Sequence, residues 1–326
     1  MLKLFKHKNK YFFKLAIIII ITFSLYCFKR VKNVAFSENE FDINFNYHNY
    51  QREIITNKMK QYSSWLLQGN EPYFINGIIR KYKPKKCLEI GVASGGSSTI
   101  ILNAIKDIKN SFLISLDLNT LLYQNDKFKT GYIVFKYFPE LTNKWKLYTG
   151  EQPHKFLDKL QLKFDFLFLD TAHFSPGEII NVIEVLPFLE KNAIIVMHDI
   201  NIHLLVEKIL KPKLHPSNIL LMAAFYGDKV FLDNKRKDIN NIGAIHLYTH
   251  QKKYYLNFFI LLLAPWDYIP NEKHIQELRE FIKKYYKKEI YLNVFNKAVE
   301  ENKIFVNKFK KMIKTENPLF EKYKLY

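Results

Sequence analysis

The amino-acid sequence predicts an α/β protein built on a doubly wound, mostly parallel sheet with helices on both faces. Short, continuous apolar runs at 87–92, 112–116, 164–169 and 193–197 read as strands buried on both sides, because neither face of such a run is polar. Segments with apolar residues at helical spacing lie between them, at 97–108 and 178–189. The runs also end alike: on Asp117, on Asp170 and on the pair His198-Asp199, with a glycine loop at 91–96 after the first. Alternating strands and helices build a parallel sheet covered on both sides. In such a sheet, chemistry gathers at the carboxyl ends of the strands.

Taken in order, residues 1–36 are a basic amino terminus around an apolar segment, LAIIIIITFSLYCF at 15–28. The segment reaches 18 residues, 11–28, if Tyr11, Phe12 and Phe13 join and Lys14 snorkels. A spanning helix needs about 20 residues, with a lower limit near 17. A cleaved signal peptide competes with this reading, but Lys29, Arg30 and Lys32 follow directly without a small-x-small site, and Tyr26 argues against lipidation of Cys27. A single uncleaved anchor is expected, making the protein membrane-associated. The flanking charges weakly place the amino terminus in the cytoplasm and the rest outside, whereas the chemistry below requires the cytoplasmic side. A segment lying along the membrane, or translation from Met59, would also resolve that conflict.

Residues 37–83 read as a linker followed by a helix at 72–82 (PYFINGIIRKY), stopped by Pro84. The α/β domain spans 84–250, with a further strand at 146–149 and two more at 229–232 and 243–248 completing the sheet. A Lys-rich helical extension covers 251–326. There the run 258–264 is core, and Ile275, Leu278, Phe281, Ile282 and Tyr285 form a stripe that packs onto the domain, as does 294–313.

The chain has 326 residues, 48% of them hydrophobic, which excludes a disordered protein. Its formal charge of +19 comes from lysines scattered along the whole length, in a Lys-, Asn-, Ile- and Phe-rich composition. With no nucleic-acid motif, a nucleic-acid partner is not expected. Cys27 and Cys87 are too few for a disulfide framework or a cysteine zinc site. Nothing in the sequence sets the oligomeric state.

The stretch KPKKCLEIGVASGGSS at 83–98 carries the first functional signal. By itself it fits a phosphate cradle, a dinucleotide crevice or a sulfonium cofactor site. The dinucleotide fingerprint needs a second glycine two residues after Gly91, and a phosphate loop needs Lys followed by Ser or Thr after its last glycine. Here Ala93 and the Ser97-Ser98 pair stand instead. What remains is Glu89 two residues before Gly91, a turn of small residues, and a helix start with free amide donors. Asp117, 28 residues after Glu89, ends the next strand, the position that faces ribose hydroxyls bound over the first turn.

With CLEIGVASGGSS, LISLD, FDFLFLDTAH and NAIIVMHD in this order, the chain resembles the class I S-adenosylmethionine-dependent methyltransferases, which have a Rossmann-like sheet. Its nearest likeness is to the sugar and macrolide O-methyltransferase and cephalosporin-hydroxylase-like group. The likeness covers about 72–199, with a weaker echo to 248. It implies that Glu89, Gly91, Ser94, Gly95 and Ser97 surround the methionine and ribose parts of S-adenosyl-L-methionine, that Asp117 holds the ribose hydroxyls, and that Glu151 or Gln152 lies near the adenine. Two departures stand out. Asn192 and Ala193 replace a glycine pair before the fifth strand, and Asn181 stands near where such proteins often carry an acid in the helix after the histidine.

Neighbouring strands lie about 4.8 Å apart, so Asp170 and Asp199 are expected to converge on one divalent ion, Mg2+ or Mn2+, with His198 as a further ligand. His173, three residues past Asp170, is the expected general base. The expected function is an O-methyltransferase acting on a small-molecule or glycan acceptor, a sugar or glycolipid hydroxyl near the membrane. A metal-dependent hydroxylase on the same fold and a non-catalytic cofactor-binding protein are the alternatives. Trp266, Asp267 and Tyr268 are assigned either to an acceptor pocket or to packing.

Overall fold

The structure is a computed structural model, described here for residues 67, 71–123, 125–171, 173–204, 217–232 and 241–313. The apolar segment at 11–28 and Met59 lie outside the described residues. Among the described residues no helix is long and apolar enough to cross a membrane.

Helix α1 (Glu71–Tyr82) opens on an acid and closes on Arg80 and Lys81, charges that suit the two ends of its dipole. It stops at Lys83, whose φ of 48° leaves the helix just before Pro84. The strands follow: β1 (Lys86–Ile90), β2 (Phe112–Asp117), β3 (Trp145–Thr149), β4 (Phe164–Leu169), β5 (Leu189–His198), β6 (Gly227–Phe231) and β7 (Ile242–Leu247). They form one sheet in the order β3-β2-β1-β4-β5-β7-β6. The first five run parallel, and β7 inserts antiparallel between β5 and β6. The expectation of a mostly parallel sheet therefore holds, with one reversed strand near its edge.

The helices between strands are α2 (Gly96–Ile105), α3 (Tyr132–Tyr137), α4 (Pro153–Leu160), α5 (Gly177–Val185) and α6 (Ser217–Ala224). After β7 come α7 (Tyr255–Leu261), α8 (Glu272–Tyr286) and α9 (Glu289–Ile313). Strand alternation divides the core in two. Cys87, Leu113, Phe166, Phe168, Ile194 and Val196 face α1, α2 and α3. Leu88, Ile90, Leu167, Leu169, Ile195 and Met197 face α5 and the carboxyl-terminal helices. Buried Ile275, Leu278, Phe281 and Ile282 join this second core, so the Lys-rich extension packs on the domain through its apolar stripe.

Strand β5 begins at 189, earlier than the expected 193, and its start is irregular: Phe164 pairs with Leu189 but Phe166 with Ile194. Asn192 and Ala193 thus lie inside this distorted strand and not in a turn, which removes the need for a glycine pair there. Trp266 is fully buried, donating from Nε1 to Leu262 O (2.7 Å) while its amide donates to Asn302 Oδ1 (2.9 Å). It belongs to the core.

An acidic side chain sits inside the first core, among other buried polar groups. Glu89 is fully buried and accepts hydrogen bonds from the hydroxyls of Ser97 (2.6 Å), Ser98 (2.6 Å) and Ser115 (2.5 Å). Burial lifts its carboxyl to about 7, the three hydroxyls oppose this, and Asp170 adds to the rise. A carboxyl raised on folding stabilises the fold most below its unfolded value, and that contribution is lost as pH climbs through the folded value. Urea titrations should therefore show stability falling between about pH 4.5 and 7, by up to about 3 kcal/mol from this group. In Glu89→Gln that slope should flatten; an unchanged slope would remove Glu89 as its source.

Candidate active site

The loop after β1 is shaped by residues with left-handed backbone: Gly91 (φ 89°), Ala93 (φ 47°) and Gly95 (φ 94°). At Gly91 this is compulsory twice over. A Cβ there would lie 1.7 Å from the carbonyl oxygen of Asp170, at the exit of the neighbouring strand. Gly95 caps α2, whose first turn carries Ser97 and Ser98. Glu89 points into the core behind the loop, not outward, and its three serine partners tie β1, β2 and α2 together. Ser94 is buried, its carbonyl accepting from the Ile133 amide (3.0 Å).

Asp117 braces the same loop from β2. Its Oδ2 accepts from the amides of Val92 (2.8 Å) and Ala93 (3.0 Å), and its Oδ1 from Asn119 (2.8 Å). Burial raises its carboxyl and these backbone donors oppose the rise. A carboxylate has about four acceptor positions, and three are taken here, so capacity remains for one further hydroxyl donor. Gly150 donates to the Asp117 carbonyl (3.1 Å), which brings the start of α4 alongside. There Gln152 is the residue before the first turn, while Glu151 turns away to Lys155 (2.7 Å).

The second half of the site lies beyond β4 and β5. His173 Nε2 is 2.9 Å from Asp199 Oδ2 and 3.5 Å from Asp170 Oδ1, and its Nδ1 is 3.0 Å from Glu178 Oε1. These atoms of Asp170, His173 and Asp199 all fall within 4.8 Å of one another. His198 approaches from the side, with Nδ1 3.4 Å from Asp170 and 3.5 Å from Asp199 and with Nε2 3.1 Å from Glu71 Oε2. Asp199 is further fixed by the Asn241 amide on Oδ1 and by Asn218 on its carbonyl (3.2 Å). His173 (φ 59°) and Asp199 (φ 51°) both hold left-handed backbone, which costs of order 1–3 kcal/mol per non-glycine residue. The loop bearing His173 is braced by Asp267, which accepts from the Ser175 amide and donates its own amide to the Ser175 carbonyl, both at 2.8 Å.

Electrostatics follow from this packing. Burial pulls the His173 imidazole down, but Asp199 and Glu178 outweigh it and hold the ring well above its ordinary value. His198 is raised in the same way by Asp199 and Asp170. The Asp199 carboxyl, opposed by burial, is held well down by the two imidazoles. The donor set suits a divalent cation: two carboxylates and imidazole nitrogens converge, and Glu178 Oε2 is buried without a hydrogen-bond partner.

Glu71, Glu178, Asn218 and Asn241 are the participants that sequence reasoning missed. Glu178 had a signal, since it lies five residues after His173 in the first turn of α5 and supplies the acid missed at Asn181. Glu71 is 127 residues from His198 in sequence, and nothing local connects them.

Residues 88–200 match a family described as a methyltransferase domain. No curated protein is similar enough to count as a relative. Among solved structures, a methyltransferase of Podospora anserina bound to SAH shares 19% identity over 69% of this chain and 93% of its own, with a TM-score of 0.41. An O-methyltransferase of Bacillus cereus in complex with SAH shares 15% over 61% and 90% (TM-score 0.44). An O-methyltransferase of Streptomyces achromogenes involved in tomaymycin synthesis shares 11% over 62% and 90% (TM-score 0.44).

The brace at Asp117 generates a clear expectation. In Asp117→Ala, calorimetry should find S-adenosylmethionine binding weakened at least about tenfold, the scale of a lost charge-assisted hydrogen bond. Equal affinity in the variant would take the ribose role away from Asp117.

Proposed function

We propose that this chain, which carries a class I S-adenosylmethionine-dependent methyltransferase domain over residues 88–200, methylates a hydroxyl group of a sugar or glycolipid acceptor. The observation that carries the reading is the convergence of Asp170, His173 and Asp199 one strand away from the Gly91 loop. A cofactor laid over that loop would end where the acidic and imidazole groups begin.

Gly91, Ser94, Gly95 and Ser97 line the cofactor cradle in this reading, Asp117 receives a ribose hydroxyl and Gln152 stands at the adenine end. Glu89 acts one layer back, holding the serines of α2 in register. The cofactor, when bound, supplies an electrophilic methyl group on sulfonium. Asp170 and Asp199, with His198 as a further ligand, would hold a divalent ion such as Mg2+ or Mn2+, which supplies positive charge to lower the pKa of an acceptor hydroxyl. His173 presents Nε2 toward the same space and is oriented from behind by Glu178. Once a cation shares the charge of Asp170 and Asp199, Nε2 can release its proton and then accept one from the acceptor. Alignment of the acceptor with the methyl group by these fixed side chains contributes much of the acceleration.

A second reading has one observation in its favour. Two imidazoles and two carboxylates suit iron as well as manganese, so an oxygen-dependent hydroxylase remains the competing chemistry. Metal identity separates the two. The membrane location rests on the segment at 11–28 and its flanking basic residues. Protease digestion of intact cells tests it, and an external catalytic domain would count against a cofactor drawn from the cytoplasm.

Chelation predicts that a vicinal diol is methylated and its mono-deoxy analogue is not; equal turnover of both would sink the chelation reading. His173→Ala should lower turnover by about 10²–10⁴-fold, the usual range for a lost general base, while leaving S-adenosylmethionine affinity within about threefold, a difference under 1 kcal/mol. Loss of binding and turnover together would instead assign His173 to the architecture of the loop.

A further inference from the structure

A second cluster of metal-ligating side chains lies at the far end of α5 from Glu178 and the catalytic groups. His154 in the first turn of α4, Glu184 near the end of α5 and His274 in the first turn of α8 place one ligand atom each within 4.8 Å of one another. Glu184 Oε1 is 2.6 Å from His154 Nδ1 and 3.5 Å from His274 Nε2. The two rings stack with centroids 5.9 Å apart and an interplanar angle of 8°. Glu184 is fully buried, and His154 nearly so.

The surroundings are those of a ligand set and not of a surface ion pair. Ligating histidines ordinarily give their second ring nitrogen to a carboxylate or carbonyl, which fixes the ring. His154 has a carboxylate on that side: its Nε2 lies 3.8 Å from Glu277 Oε2, an ion-pair distance longer than a hydrogen bond, and Glu277 is itself held by Lys155 at 3.0 Å. Glu184 is also oriented from behind, because Asn181 donates to Oε2 (3.2 Å) and leaves Oε1 to the two imidazoles. In a tetrahedral zinc site with bonds near 2.0–2.1 Å, neighbouring ligand atoms stand about 3.3 Å apart. The His274–Glu184 separation already matches, and the His154–Glu184 pair must open by under an ångström.

We propose that His154, Glu184 and His274 form a zinc site, with water as the fourth ligand, that fastens the carboxyl-terminal helices to the α/β domain. Two imidazoles, borderline nitrogen donors, with a single carboxylate favour zinc over magnesium or calcium, which take oxygen ligands. The position gives the site its consequence. His154 and Glu184 belong to the α/β domain, whereas His274 enters from the extension, in the turn capped by Asn271. Along the same seam the Tyr286 hydroxyl donates to Ile183 O (2.5 Å) and Lys284 pairs with Asp158 (2.5 Å), so the metal reinforces a contact that already exists.

The test uses the full-length chain in detergent, with Asp170→Asn and Asp199→Asn present throughout to silence the catalytic cluster. Elemental analysis should find one equivalent of zinc, and cobalt(II) substitution should give the intense visible absorption of a tetrahedral centre. Adding His274→Gln should abolish both signals, and stripping zinc should lower the melting temperature of the parent but not of the His274→Gln protein. No zinc and no tetrahedral cobalt band in the parent, or an undiminished equivalent in His274→Gln, would overturn the proposal. Should the His274→Gln protein fail to fold, His154→Gln takes its place with the same losses expected. Because both catalytic carboxylates are replaced in every sample, the difference made by His274→Gln stands apart from the methyl-transfer reading.

Discussion

Between Gly91 and the carbonyl of Asp170 there is no room for a methyl group. This contact joins the exits of β1 and β4, the two strands from which the chain departs toward opposite faces of the sheet. A crevice opens where such connections diverge, and here its floor is bare backbone from both strands. Residues beyond that point inherit their positions from it. Asp117 reaches the loop because β2 ends in register with β1, and Asp199 reaches Asp170 because β5 runs beside β4. Even the left-handed turns at Ala93, His173 and Asp199 are concentrated along this edge.

The same edge concentrates charge. Glu71, Asp170, Glu178 and Asp199 approach two imidazoles within a space of low exposure. Buried carboxylates and imidazoles persist only when each finds a partner or an ion. The structure supplies partners from far apart: α1 gives Glu71, α5 gives Glu178, and the segment before β7 gives Asn241. The strain at His173 and Asp199 is held by that network and by the Asp267 brace, which belongs to the carboxyl-terminal region.

Much of this architecture was legible in the sequence, for physical reasons that differ by residue. The strands announced themselves as continuous apolar runs because they are buried on both faces. Asp117, Asp170 and Asp199 were found because an acid directly after such a run has few other places to go. Glu89 signals a special site because an acid is unusual in a buried strand, but spacing cannot tell whether such an acid faces a ligand or the core. The start of β5 was misjudged because the distortion at 189–193 contains polar residues that imitate a loop. Glu71 and Asn241 were beyond reach, since their contacts depend on tertiary packing and leave no periodic trace.

The two halves of the site are assembled from very different spans of chain. Every side chain assigned to the cofactor cradle lies between Glu89 and Gln152, and three parallel strands suffice to build it. The acidic half draws on residues from Glu71 to Asn241. The residues of the cradle therefore precede in sequence the strand that completes the sheet. Asp199 takes its Asn241 partner from the residue just before β7, so the one antiparallel strand between β5 and β6 ties the acidic half of the site to the far edge of the sheet.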